Sequence, residues 1–180
     1  MQPRMMTRTA LMAAVTAVAA QITVPLFAVP FTLQVLAVIL SGLLLGPRYG
    51  ALAMTIYLLV GAVGAPIFAQ FHGGLGTIAG PTGGYLVSYP LAAAVAGLAS
   101  YAVADAPRSR ALLTSVLCGV AALALIYAFG ATWLTVVTDL PPAAALAQGV
   151  LPFVAFDLIK VGVAALVAVG VAPAIAPFRV

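Results

Sequence analysis

From Ala111 to Leu134 the chain carries no charged residue, and further apolar runs lie at about 9–26, 32–45 (somewhat short), 51–63, 85–104 and, but for one Asp and one Lys, 152–171. A helix that crosses the hydrocarbon core of a bilayer needs roughly 20 apolar residues, about 17 to 25 in practice. A soluble domain would have to wrap such segments in a polar coat, and about a quarter of its residues would be charged. Here 65 % of the 180 residues are hydrophobic and 6 % are charged, with no glutamate, so that coat cannot be made. The expectation is an all-α integral membrane protein of six transmembrane helices in one bundle. No charged or low-complexity linker divides the chain, so 1–180 reads as one membrane domain. Residues 64–84, GAPIFAQFHGGLGTIAGPTGG, form a glycine-rich connection without a charge.

The arginines give the bundle a direction. Arg4 and Arg8 precede the first segment, Arg48 lies between the second and third, Arg108 and Arg110 between the fourth and fifth, and Arg179 after the sixth. With six crossings all of them fall on one face, and the other three connections hold neither Arg nor Lys. The positive-inside rule makes that face cytoplasmic, with both termini inside. The net charge of +4 is therefore a topology signal and not a nucleic-acid patch. Basic residues, an apolar core and VAAQ near position 20 also fit a cleaved signal peptide. The apolar run continues to Phe31, which favours a retained helix. On that helix Ala10, Ala13, Ala14 and Ala17 make overlapping small-xxx-small pairs, a surface on which another helix can approach closely. Packing within the bundle and docking of a partner both satisfy this pattern. Cys118, the single cysteine, makes neither a disulfide framework nor a metal cluster.

Two full charges interrupt the sixth segment, in PFVAFDLIK. With the helix starting near Pro152, Asp157 lies roughly 7 Å and Lys160 roughly 12 Å below its outer end. Residues three apart share a helix face. A charge at bilayer depth costs about 2.5 to 3.5 kcal/mol even on the lenient insertion scale. Pairing offsets part of that, but a buried ion pair rarely stabilises a fold relative to apolar residues of equal volume. The pair is expected to face an internal cavity open to the outside; a purely structural pair is the alternative. Lys supplies donors and positive charge for a carboxylate, and Asp supplies acceptors for N–H groups. Together, in an apolar pocket, they suit a small molecule with both features. Gln34, Thr77, Thr82, Tyr85 and Tyr89 lie at similar depth. Gln34 serves equally as a ligand contact or a helix–helix hydrogen bond, and Tyr89 reads more simply as an interfacial anchor.

In the glycine-rich connection, Gly and Pro alternate freedom with stiffness. Irregular backbone at membrane depth is tolerated where it lines a cavity or is buried in protein. A lid or pocket wall is expected there, a re-entrant packing loop being the other reading. GLGTIA, Gly74–Ala79, fits a dinucleotide fingerprint only loosely: no strand precedes it and no acidic residue follows at the needed distance. No phosphate-binding Lys-Ser/Thr pair follows the glycines, so the chain shows no means of using ATP by itself. His72 is the single histidine, and the sequence holds no GxSxG, His pair or carboxylate dyad. An enzyme is not expected, nor a cofactor or bound metal.

GGLGTIAGPTGGYLVSYP, with YLLVGAVGAPIFA before it and PFVAFDLIK far downstream, strongly resembles the biotin-specific S components of energy-coupling factor transporters, the BioY family. The resemblance covers essentially the whole chain. It implies a six-helix protein of a prokaryotic plasma membrane that captures biotin from outside, working with a transmembrane coupling protein and a pair of ATPases. It also implies that the small-residue face of the first helix docks the coupling protein. The resemblance places biotin near Asp157, Lys160 and the turn Gly80, Pro81, Thr82, Gly83, Gly84 and Tyr85. Gln34 and Thr77 are added from their depth alone. Biotin's ureido N–H groups suit Asp157, and its carbonyl or carboxylate suits Lys160. A different vitamin, a stand-alone facilitator and a homo-oligomer are the variants this reading leaves open.

Overall fold

The computed structural model describes residues 3–25, 29–103 and 106–175. Leu26, Ala104 and Arg179, which the segment limits and the charge pattern include, lie outside them.

Helix α1 spans Pro3–Gln21. It stops there because Thr23 and Val24 are β-branched and Val24 precedes Pro25, which drives it out of the helical region. Thr23–Val24 (β1) instead pairs antiparallel with Phe31–Thr32 (β2), Thr23 opposite Thr32 and Val24 opposite Phe31. The expected first helix at 9–26 is corrected at both ends, and among the described residues one short two-stranded pairing stands beside the helices.

Among the described residues three helices are long and apolar enough to cross a membrane: Gln34–Ala62 (α2), Arg108–Thr138 and the Val154–Val171 part of a final helix. The length of α2 overstates its reach. Gly46 sits at φ 79° and ψ 175°, a conformation that ordinary side chains resist, and Pro47 starts the next stretch. The two stretches, 34–45 and 47–62, then run back along each other. A Cβ at Gly50 would lie 2.8 Å from the Cα of Gly42, and Gln34 bonds to Tyr57, 23 residues on. In a straight helix those two residues would be roughly 34 Å apart. The GPRYG turn thus separates two antiparallel rods.

A 3-10 turn at Ala69–Phe71 and a short helix α3 (Leu75–Ala79) occupy the glycine-rich connection. Helix α4 (Gly83–Gly97) and its short continuation α5 (Ser100–Val103) follow. Gly97 lies directly against Gly46 and Pro47, and Gly42 against the Ala93 carbonyl, so α4 and the α2 hairpin approach closely where small residues meet. Helix α6 (Arg108–Thr138) ends at Asp139, in the left-handed region at φ 53°, ahead of Pro141. An additional helix α7 (Pro142–Gly149) lies in the connection to α8 (Val154–Ile175).

Each rod therefore runs between two distinct ends. Arg4 and Arg8 start α1, Arg48 sits beside the Gly46 turn, and Arg108 and Arg110 start α6. At the opposite end are Gln21, Gln34, the 64–82 connection, the start of α4, the end of α6, α7 and the start of α8. Gln21 bonds to Ile67 and Phe68 there, and Trp133 to Gly80.

Candidate functional site

At the end away from the arginines the bundle encloses a chamber of about 350 Å³. That is within the roughly 300–1,000 Å³ range of small-molecule sites. Its floor comes from Gln34, Tyr85, Tyr89, Tyr127, Asp157 and Lys160, its apolar sides from Phe31, Leu86, Ile126 and Phe153, and its outer wall from the connection containing Ala69, Gln70, His72, Thr77, Gly80, Pro81 and Thr82.

The charged pair is at the floor. Asp157 lies in the first turn of α8, where a carboxylate complements the helix dipole. Lys160 Nζ donates to Asp157 Oδ1 at 2.6 Å and to the Thr32 carbonyl at 2.6 Å. It also stands 3.8 Å from the centroid of the Phe31 ring. Tyr127 donates to Asp157 Oδ2 at 2.6 Å. Asp157 is 3 % exposed and Lys160 6 %, so water does not compensate either charge. Ammonium donors number three, and here the carboxylate, the carbonyl and the ring face take up all three directions. A carboxylate has about four acceptor positions; two are occupied, so Asp157 keeps room for a further N–H.

Gln34, at the start of α2, anchors a second polar group. Its Nε2 donates to Tyr57 Oη at 2.5 Å, and its Oε1 accepts from Thr32 Oγ1 at 3.2 Å and Tyr89 Oη at 3.3 Å. Tyr57 in turn donates to the Ile67 carbonyl at 3.1 Å. Gln34 makes the expected helix–helix hydrogen bonds and also lines the chamber. Tyr89, expected at an interface, is buried in the chamber floor.

The turn Gly80–Tyr85 divides. Gly80, Pro81, Thr82 and Tyr85 line the chamber; Gly83 and Gly84 do not. A Cβ on Gly83 would run into the Ile78 carbonyl, and one on Gly84 into Trp133 and the Phe129 carbonyl. These two glycines let α4 approach α3 and α6, and so hold the turn in place. Trp133 Nε1 donates to the Gly80 carbonyl at 2.9 Å, and Tyr85 Oη to that of Gly149 at 2.9 Å. Thr77, a guess from depth, does line the chamber; its hydroxyl donates to the Gly73 carbonyl at 3.0 Å.

The alanine stripe on α1 also divides. Ala13 is buried in the bundle and Ala17 is half-buried against its core, while Ala10 and Ala14 face outward. Residues the sequence reading missed are Phe31, Thr32, Tyr57, Tyr127 and Phe153. Tyr127 carried a usable signal, a phenol in the middle of an apolar run about as deep as Asp157. The role of Thr32 had none, because a backbone carbonyl makes the contact. Among the described residues no group of three or more His, Cys, Asp or Glu is placed to hold a metal.

A helical membrane protein with a buried ionic pair at the floor of a ligand-sized chamber belongs to the class of membrane-embedded solute receptors. The family follows from comparison: the BioY family model matches residues 1–177, and the chain belongs to the BioY family. The biotin transporter BioY of Thermotoga maritima is 44 % identical over 166 residues, covering 92 % of this chain and 94 % of that protein. The probable biotin transporter BioY of Pyrococcus horikoshii is 43 % identical over 159 residues, covering 88 % and 90 %. A crystal structure at 2.1 Å of the S-component for biotin from an ECF-type ABC transporter superposes with a TM-score of 0.83 at 23 % identity, over 96 % of this chain and 95 % of that one. That likeness shows a shared fold.

Proposed function

We propose that this protein is the biotin-binding subunit of a biotin uptake transporter, with the chamber as its binding site. The observation that carries the reading is the buried Asp157–Lys160 pair beside that chamber, in a member of a family whose curated relatives are biotin transporters. The protein is a transport subunit and not an enzyme. Biotin is its cargo, and it needs no cofactor.

Its biotin lies with the ureido ring at the floor. Asp157 accepts a ureido N–H, since its carboxylate has unused acceptor positions. Lys160 orients and neutralises Asp157, its own donors being engaged. The bicyclic ring packs among Phe31, Ile126 and Phe153, and the valerate extends toward Gln70, His72, Thr77 and Thr82 in the outer wall. Gln34 and Tyr89 border the ureido group. Gly83 and Gly84 serve the site indirectly, by packing.

The six rods 3–21, 34–45, 47–62, 83–103, 108–138 and 154–175 are the membrane crossings of a single domain. The chamber end faces outward and the arginine end the cytoplasm, with both termini inside. This fits a multi-pass protein of a prokaryotic plasma membrane. Because the chain has no nucleotide-binding motif, inward release is driven by partners: a transmembrane coupling protein and an ATPase pair. The coupling protein meets α1 on the side of Ala10 and Ala14.

The test is biotin binding to protein purified in detergent, wild type against Asp157→Asn and Lys160→Ala. Stoichiometric binding by the wild type and at least a tenfold loss in both variants is the expected result. Near-native affinity in both would remove the pair from the site. Membrane-impermeant labelling of Ala69→Cys in a Cys118→Ala background, on intact cells, reads the orientation; labelling only after permeabilisation would reverse it.

A further inference from the structure

The end of α1 grips the outer wall of the chamber through one side chain. Gln21 Nε2 donates to the carbonyls of Ile67 at 3.3 Å and Phe68 at 3.1 Å, sharing these bonds with Ala17 of its own helix at 3.1 Å. Its Oε1 accepts from the Phe71 N–H at 2.9 Å. The amide therefore holds both sides of the Ala69–Phe71 turn.

That turn is strained. Gln70 at φ 59° and Phe71 at φ 57° are consecutive non-glycine residues in the left-handed region. Such a conformation persists only where the surroundings over-determine it. The Phe71 side chain is 69 % exposed, so its burial does not hold the turn. On the other side Phe68 is 1 % exposed, wedged against Gly61 and edge-on to Tyr57 at 5.5 Å. The Ile67 carbonyl is shared between Gln21 and Tyr57, and Tyr57 is the partner of Gln34 in the chamber floor. Ala69 and Gln70 line the chamber, while Gln21 is not among its lining residues.

We propose that Gln21 is a positioning residue for ligand passage: a clasp that keeps segment 67–71 over the chamber, making the position of α1 set how readily the mouth opens. The proposal rests on the reading that the chamber takes biotin. The clasp lies outside the chamber, where no ligand contact competes for its hydrogen bonds, and in this proposal it is kept when ligand is bound. It therefore restrains entry and exit alike. Releasing it raises both rate constants and leaves the equilibrium constant nearly unchanged.

The experiment compares purified wild type, Gln21→Ala and Gln21→Met. Biotin association and dissociation rates are measured together with equilibrium affinity, and amide hydrogen exchange across 67–73 is followed without ligand. Both variants are expected to raise the two rate constants about tenfold or more, the net effect of losing three hydrogen bonds to the segment, two of them shared by one amide nitrogen, with affinity changed less than twofold. Exchange at Phe71 should accelerate by a similar factor. Met has the volume of Gln without its hydrogen bonds, so wild-type behaviour in Gln21→Met would make the contact mere packing and overturn the clasp. Unchanged rates, or weaker affinity through dissociation alone, would overturn it too. If the wild type fails to bind biotin, the functional reading falls, and the ligand-free exchange measurement decides the clasp by itself.

Discussion

Lys160→Met removes one buried charge while keeping most of the side chain's volume. It deletes the 2.6 Å bond to Asp157, the 2.6 Å bond to the Thr32 carbonyl and the cation over the Phe31 ring. Leaving one member of a buried pair uncompensated costs about 3–5 kcal/mol. Tyr127 still donates to Asp157, so the lower end, about 3 kcal/mol, is expected. At roughly 2–4 °C per kcal/mol for a chain of this size, the melting temperature falls by about 6–12 °C. The double variant Asp157→Leu with Lys160→Met removes both charges. Replacing a whole buried pair with apolar residues is neutral or stabilising by about 1–4 kcal/mol. Against this stands roughly 1 kcal/mol for the acceptor lost to Tyr127. The double variant should therefore melt no more than a few degrees below wild type and up to about 10 °C above it, and bind no biotin. Thermal unfolding in detergent without ligand, with equilibrium biotin binding on the same samples, makes the comparison. A single variant as stable as wild type, or a double variant that binds biotin normally, would refute the reasoning that the pair is kept for its ligand at the expense of stability.

Tyr127→Phe takes away the donor to Asp157 Oδ2; biotin affinity measured by titration calorimetry should weaken about tenfold, in line with roughly 1.5–3 kcal/mol for hydrogen bonds to charged groups. Gly84→Ala places a methyl against Trp133 and the Phe129 carbonyl, and overpacking of about 1–3 kcal/mol should lower the thermal midpoint. Trp133 is the single tryptophan and donates to Gly80 in the chamber wall, so its emission should shift when biotin is added; an unaltered spectrum at saturation would separate that turn from ligand binding.

The charged pair was legible because an Asp and a Lys inside an apolar run have few physical explanations, and spacing of three puts them on one face. The GPRYG break was legible for a similar reason: Gly46 and Pro47 interrupt what hydropathy alone would let continue. Other features left weaker traces. The helix end at Gln21 depends on Val24 preceding Pro25, a local signal outweighed by the apolar run around it. Gly83 and Gly84 look like ligand-binding backbone in sequence, and only their contacts with Ile78 and Trp133 reveal them as packing positions. Ala13 and Ala14 are adjacent and chemically identical, yet one is buried and the other faces outward.

What the chain determines by itself is its solvent and its elements: apolar segments of membrane-spanning length, breaks where Gly and Pro stand, and arginines gathered at alternate connections. These follow from residue-by-residue costs of burial and from local backbone sterics, which need no knowledge of distant residues. The tertiary structure alone decides which polar groups share one chamber. Lys160 meets the carbonyl of Thr32, Asp157 meets Tyr127, Gln34 meets Tyr57, and Gln21 meets a turn some fifty residues away. Hydrogen bonds reach about 3 Å, and which groups come within that distance is settled only when the helices have packed.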